Sequence, residues 1–252
     1  MRVGILVTAR LGSTRLKGKH LLQAGGQPLL SYLMKRICNE FRHEIDCGGL
    51  TVVLATSDEE ENRAFETHTD SPILVFYGAG RNIPLRHLQA AEDYGLDAII
   101  AVDGDDILCS VRAMRTLYGA LLSGNKYLRS VGLPFGMNVL GYSTAYLETC
   151  MVGHHGEIIE TGWGRIFSDV DLLELAVTAP VEVQELRFTL DYEEDYAFFK
   201  ALIESLGSGI ESATDAQIIE TSEQNEFYRL NASVSNIYWE NFCRCREQET
   251  CD

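Results

Sequence analysis

No apolar run in this 252-residue chain is long enough to span a membrane, and its first residues lack the basic-then-apolar pattern of a secretory signal. A cytoplasmic location is the resulting expectation. Prolines number only five, and no Pro/Ser-rich stretch, repeat or low-complexity segment interrupts the chain. Nothing therefore marks a linker, and the sequence reads as one domain over 1–252. The seven cysteines are odd in number and irregularly spaced, which fits reduced thiols better than a disulfide framework. Cations are scarce, with 21 Lys and Arg against 37 Asp and Glu and a net charge of -16. That balance argues against a nucleic-acid polymer as partner. It also means that any anion site must be built from a local basic cluster.

One such cluster follows the apolar run Val3 to Thr8, which reads as a buried strand. The segment Ala9 to Lys19 carries Arg10, Arg15, Lys17 and Lys19 with Gly12, Ser13, Thr14 and Gly18, and no acid. It is neither a Walker loop, since His20 stands where Ser or Thr is required, nor a G-x-G-x-x-G turn. Two readings stand: a solvated basic loop, or a phosphate cradle whose glycines turn N–H groups toward a triphosphate while Arg and Lys neutralise it.

Further on, the spacing of Leu29, Leu30, Leu33, Met34, Ile37 and Phe41 predicts a helix. Lys35, Arg36 and Arg42 lie in its C-terminal half, where cations suit the dipole. Strands are predicted at 51–55, 73–77 and 98–102. Between them fall a helix capped near Thr56 and Ser57 and another over 84–94, stopped by Gly95. Strands alternating with helices imply right-handed crossovers and a mainly parallel sheet, with ligands at the strand carboxyl ends. The second half predicts helices at 112–122, 144–152 and 193–206 and strands at 126–133, 137–142 and 186–190. The tail from Cys243 reads as polar and frayed, and Cys243, Cys245 and Cys251 lack the partners of a zinc site.

Two acidic turns end predicted strands. Asp103-Gly104-Asp105-Asp106 is a solvated turn or a site for a hard cation, because adjacent carboxylates repel unless a cation lies between them. Asp191 follows 186–190 and by itself reads as a helix start.

The basic loop, Ala9-Arg-x-Gly-Ser-Thr-Arg-Leu-x-Gly-Lys19, resembles the signature loop of the cytidylyltransferases that activate acidic sugars. These are the CMP-Kdo synthetases and, closer still, the spore-coat polysaccharide biosynthesis protein F family. Members carry proline where Lys17 stands. Three further segments extend the resemblance over about residues 1–200: Gly78 to Ala91, Gly132 to Val139 and Leu186 to Asp195, the last similar to the family's R-x-T-x-D-x-x-x-D. Asn82 and Asn138 replace family acids, which points to a changed acceptor pocket.

The resemblance implies a three-layer α/β/α, glycosyltransferase type A-like (Rossmann-like) nucleotidyltransferase fold. Residues 1–125 would form a nucleotide-binding half, 126–190 an acceptor-binding and dimerisation insert, and 191–252 C-terminal helices. It implies Mg²⁺-dependent transfer of CMP from CTP to an acidic sugar or related hydroxy acid, releasing pyrophosphate, by a homodimer. Arg10, Arg15, Lys19 and Asp105 would be catalytic. Ala9, Gly12, Ser13, Ala55, Thr56, Ser57, Arg86 and Asp103 would join the cations on the nucleotide. Asp105 and Asp191 would hold the metal, with Asp195 supporting the following helix. Asn138, Trp163 and Arg165 are the expected acceptor contacts. Two alternatives stay open: a metal-dependent glycosyltransferase using Asp103 and Asp105 as its D-x-D, and a non-catalytic nucleotide-binding subunit.

Overall fold

The computed structural model describes residues 1–183 and 185–249. Its strands, in chain order, are β1 (Val3–Thr8), β2 (Gln23–Ala24), β3 (Gln27–Pro28), β4 (Leu50–Ser57), β5 (Leu74–Gly78), β6 (Ala98–Asp103), β7 (Tyr127–Val131), β8 (Leu140–Ser143) and β9 (Leu173–Ala176). Its α-helices are α1 (Leu29–Glu40), α2 (Arg42–Asp46), α3 (Ile83–Tyr94), α4 (Val111–Leu122), α5 (Thr144–Met151), α6 (Glu193–Leu206), α7 (Asp215–Gln224) and α8 (Val234–Glu249). Seven strands form one sheet in the order β5-β4-β1-β6-β8-β7-β9, and β2 and β3 form a small ribbon. Within the main sheet β8 alone runs antiparallel to its neighbours.

Period-2 alternation along β1 explains the layering. Val3, Ile5 and Val7 enter one core with Leu33, Met114 and Phe198 from α1, α4 and α6. Leu6 enters a second core on the opposite face, with Leu88 and Leu147 from α3 and α5 and with Trp163 and Phe167. Both faces of the central strands are thus covered, which is why they read as continuous apolar runs. The predicted three-layer α/β fold with a mainly parallel sheet is the one observed.

Local signals placed most helix ends. Ser110 accepts from Ala113 N–H at 2.9 Å at the start of α4, and Gly95 ends α3 in the left-handed region at φ 62°. Several expectations are corrected. Residues 186–190 form no strand: they run extended beside the 133–136 turn, through Phe188 N–H to Phe135 O at 2.7 Å and a single bridge at Arg187. Strand β9, short and mostly exposed, has no clear sequence signal. The segment after Ser57 is a 3₁₀ helix, Glu60–Thr67. Arg36 does not face the α1 dipole; it is buried and donates to Ile210 O at 2.9 Å and Ala213 O at 2.7 Å. Cys243 and Cys245 lie within α8, which is ordered helix to Glu249, while Cys251 is outside the described residues.

Candidate active site

Parallel pairing of β1 with β6 places Thr8 directly opposite Asp103, so the loops leaving both carboxyl ends start side by side. Gly104 makes the approach possible. Its N–H donates to Thr8 O at 2.7 Å, and a Cβ there would lie 2.8 Å from both that oxygen and Ala9 Cβ. Gly18, at φ 61°, turns the basic loop inward and carries Lys19 into the protein.

The Lys19 side chain, only 6 % exposed, donates from Nζ to Asp105 Oδ2 at 2.5 Å and to Asp191 Oδ1 at 3.0 Å. Arg15 reaches the same Asp191 oxygen at 2.5 Å, and Arg187 donates to its Oδ2 at 3.1 Å. His20 Nε2 stands 2.8 Å from Asp105 Oδ1. Asp195 accepts from the N–H groups of Asp191 and Tyr192 and from Arg187, so it fixes the start of α6 as expected. Arg10 pairs with Glu160 at 2.8 Å. Asp103 accepts from Trp163 Nε1 at 3.1 Å.

Burial and crowding pull these acids apart. Asp103 opens onto the cleft, and desolvation there, then the neighbouring Asp105, raises its carboxyl above the ordinary value. Asp106 is raised well above the usual range by burial and Asp103. Burial opposes ionisation of Asp105 too, but Lys19 and His20 outweigh it and hold its carboxyl well below the ordinary value. Lys19 is raised, because Asp105 and Asp191 together exceed the desolvation that would discharge it.

A cavity of about 1070 Å³ opens over this cluster. Of the expected site residues, Ala9, Arg10, Ser13, Arg15, Lys19, Arg86, Asp103, Asp105, Trp163 and Asp191 line it. Six do not: Gly12, Ala55, Thr56, Ser57, Asn138 and Arg165. Ala55, Thr56 and Ser57 are fully buried in β4, and the Ala55 carbonyl accepts the Ala9 N–H. The Ser13 N–H is engaged by Leu11 O at 2.8 Å rather than aimed at a ligand. Arg86 is buried and donates to Ala79 O and Gly80 O, and burial lowers it to about 10; it shapes the loop before α3. Arg165 is tied to Glu249 at 2.9 Å and to the carbonyls of Ile158 and Thr161.

The two amide departures have a physical reason. Asn82 accepts the Leu85 N–H as the cap of α3 and donates to His154 O and Glu157 O, each at 3.0 Å. A carboxylate could cap but could not donate. Asn138 likewise donates to Leu133 O at 2.9 Å and faces a smaller adjoining cavity of about 120 Å³. At Asn82 the change is a clasp between α3 and the 154–159 loop, not an altered pocket wall.

Sequence reasoning missed His20, Glu160, Arg129 and the C-terminal wall. Tyr238, Trp239, Phe242 and Glu249 of α8 all line the cavity. Their helical spacing is visible in the sequence, but nothing local says which surface that helix covers. Glu249 anchors it by accepting from the N–H of Thr161 at 2.8 Å.

A family model described as cytidylyltransferase matches residues 4–159, which carry β1 to β8, the basic loop and the Asp103–Asp106 turn. The chain belongs to the cytidylyltransferase family. This cytidylyltransferase is therefore a nucleotidyltransferase enzyme, which sets aside the glycosyltransferase and non-catalytic readings. The spore coat polysaccharide biosynthesis protein SpsF of Bacillus subtilis is 26 % identical over 80 % of this chain and 86 % of its own. A 3-deoxy-manno-octulosonate cytidylyltransferase of Methylococcus capsulatus is 41 % identical over 46 % of this chain and 44 % of its own. Among solved structures, a cytidylyltransferase from Leptospira borgpetersenii is 24 % identical, with TM-score 0.74 over 92 % of this chain and 98 % of its own. This likeness establishes the shared fold. No helix among the described residues is long and apolar enough to cross a membrane.

Proposed function

We propose that this cytidylyltransferase transfers the CMP group of CTP to a hydroxyl of an acidic sugar or related hydroxy acid and releases pyrophosphate. The convergence of Lys19, Arg15, Asp105 and Asp191 at one end of the sheet carries the reading. The acceptor oxygen forms a bond to the α-phosphorus as the bond to the bridging α–β oxygen breaks, the hydroxyl proton passes to solvent, and pyrophosphate leaves.

The protein's part is position and charge. Arg10 is 41 % exposed and, among the described residues, pairs with Glu160, so a phosphate oxygen can replace that carboxylate. Arg15 and Lys19 stand ready to neutralise the departing pyrophosphate. Tyr238, Trp239 and Phe242 of α8 line the same cleft.

The donor set fits Mg²⁺. Asp105 and Asp191 are hard oxygen donors that already meet at one cation, the Lys19 ammonium. Among the described residues no group of three or more such side chains forms a complete metal cage. Mg²⁺ is commonly bound by one or two carboxylates plus substrate phosphates, and Asp105 and Asp191 are the two that could serve. Bound there, Mg²⁺ would supply Lewis-acid polarisation of the phosphoryl oxygens. Lys19 would then turn from the carboxylates to the nucleotide.

Calorimetric titration with each of the four nucleoside triphosphates, with and without Mg²⁺, tests the reading on the native protein and Asp105→Ala. CTP is expected to bind best, more tightly with Mg²⁺, and more weakly to the variant. Equal affinity for all four, or no nucleotide binding, refutes it.

A further inference from the structure

With Arg165 tied to Glu249, the acceptor side of the cleft needs another anchor for an anionic group. Strand register supplies one. Ala101, Leu140, Arg129 and Glu174 stand directly opposite one another across β6, β8, β7 and β9. Directly opposed residues share a face of the sheet, so the row floors a path from the acidic turn to the sheet edge. Arg129 and Leu140 line both the large cavity and the smaller one beside it, where they meet Asp103, Asp106 and Trp163. The other arginines and the lysine of the cavity wall come from the β1 loop and the start of α3. Among the described lining residues, Arg129 is the one Lys or Arg on the β8 side.

Its availability follows from its present partner. Arg129 donates to Glu174 Oε1 at 2.5 Å, with the two side chains 45 % and 50 % exposed. An exposed pair of this kind stabilises little, so a ligand carboxylate can take the guanidinium from it. The guanidinium fork matches a carboxylate with two parallel bonds. Leu140 and Trp163 offer an apolar surface for the carbon face of a sugar. Resting on the cytidylyl-transfer reading, we infer that Arg129 anchors the carboxylate of the acceptor. The acceptor lies over Leu140 beside Trp163, with its reacting hydroxyl toward Asp105.

Arg129 is a specificity-determining residue in this arrangement, away from the phosphate-binding loop. 3-Deoxy-manno-octulosonate and its methyl ester serve as probes, because they differ in the charge that Arg129 would read. Binding is measured by calorimetry, and pyrophosphate release is measured at saturating CTP and Mg²⁺. The native protein is expected to prefer the acid. Arg129→Ala should erase that preference and raise the acceptor KM about 10- to 100-fold, the loss of one charge-assisted pair. KM for CTP should stay within about twofold, because the phosphate cations are untouched. Arg129→Lys should recover part of the preference, whereas Glu174→Gln should leave it intact or strengthen it. A preference that survives Arg129→Ala overturns the inference. So does a native protein that binds CTP but neither probe, or both probes equally; in those cases the nucleotide site still stands. Failure of the native protein to bind CTP would instead sink the reading beneath it.

Discussion

Replacing Asn82 with aspartate should damage this protein. The side chain is 4 % exposed, and its amide donates to His154 O and Glu157 O. In Asn82→Asp both carbonyls lose the amide and face an anion; His154 O keeps the Glu157 N–H at 3.2 Å, whereas Glu157 O loses its donor. One partly buried carbonyl left unpaired costs about 1–3 kcal/mol. The introduced carboxylate keeps the cap to Leu85 N–H and gains up to about 1 kcal/mol at the helix N-terminus. The net loss is therefore about 1–2 kcal/mol, or roughly 2–8 °C in Tm for a chain of this size. Protonation would relieve the repulsion and restore one donor, so the deficit should shrink as pH falls from 8 to 5. The same clasp holds the loop that brings Glu160 and Trp163 to the cleft, so KM for the nucleotide should rise as well. Urea denaturation of both proteins at several pH values measures the first effect, and initial rates the second. A variant within about 0.5 kcal/mol of the native protein, with the same pH dependence, would refute the clasp.

Three other outcomes follow from the geometry. His87 is buried between the Thr8 and Tyr142 hydroxyls, and burial lowers it to about 3. The unfolded chain therefore binds a proton below about pH 6.5 that the folded one refuses. Stability should fall by up to roughly 4–5 kcal/mol as pH drops from 6.5 to 3, and denaturation of His87→Leu should lack that slope. Gly136→Ala should cost more than about 3 kcal/mol or prevent folding, since φ is +88° and a Cβ would lie 2.3 Å from Phe188 O; a thermal scan checks it. Lys19→Met removes the cation shared by Asp105 and Asp191, while Arg15 and Arg187 still hold Asp191, and should cost about 1–3 kcal/mol at neutral pH, read by urea denaturation, with turnover abolished.

The apolar runs of β1, β4 and β6, the glycine stop of α3 and the start of α6 were legible in the sequence because each depends on neighbours along the chain. So was the basic loop, since a cation cluster without acids stands out in an acidic protein. Asp105 and Asp191 were found as acids ending predicted strands, and their family role came from resemblance. What failed were the readings that needed to know what lies across the fold. Residues 186–190 alternate like a strand but have only the 133–136 turn to pair with. Arg165 and Arg36 look like available cations, yet Glu249 and the 210–213 carbonyls hold them. Ala55, Thr56 and Ser57 sit at a strand's carboxyl end, but they are fully buried there and do not reach the cavity. Sequence by itself determined the layered α/β architecture and the end of the sheet where charge collects, because periodicity and turn chemistry are local. Tertiary structure alone decided which charges pair. Lys19 meets Asp105 and Asp191 across 86 and 172 residues of chain, and α8 walls the cleft from the far end of the chain. Such contacts depend on how layers stack, and no spacing along the chain records that.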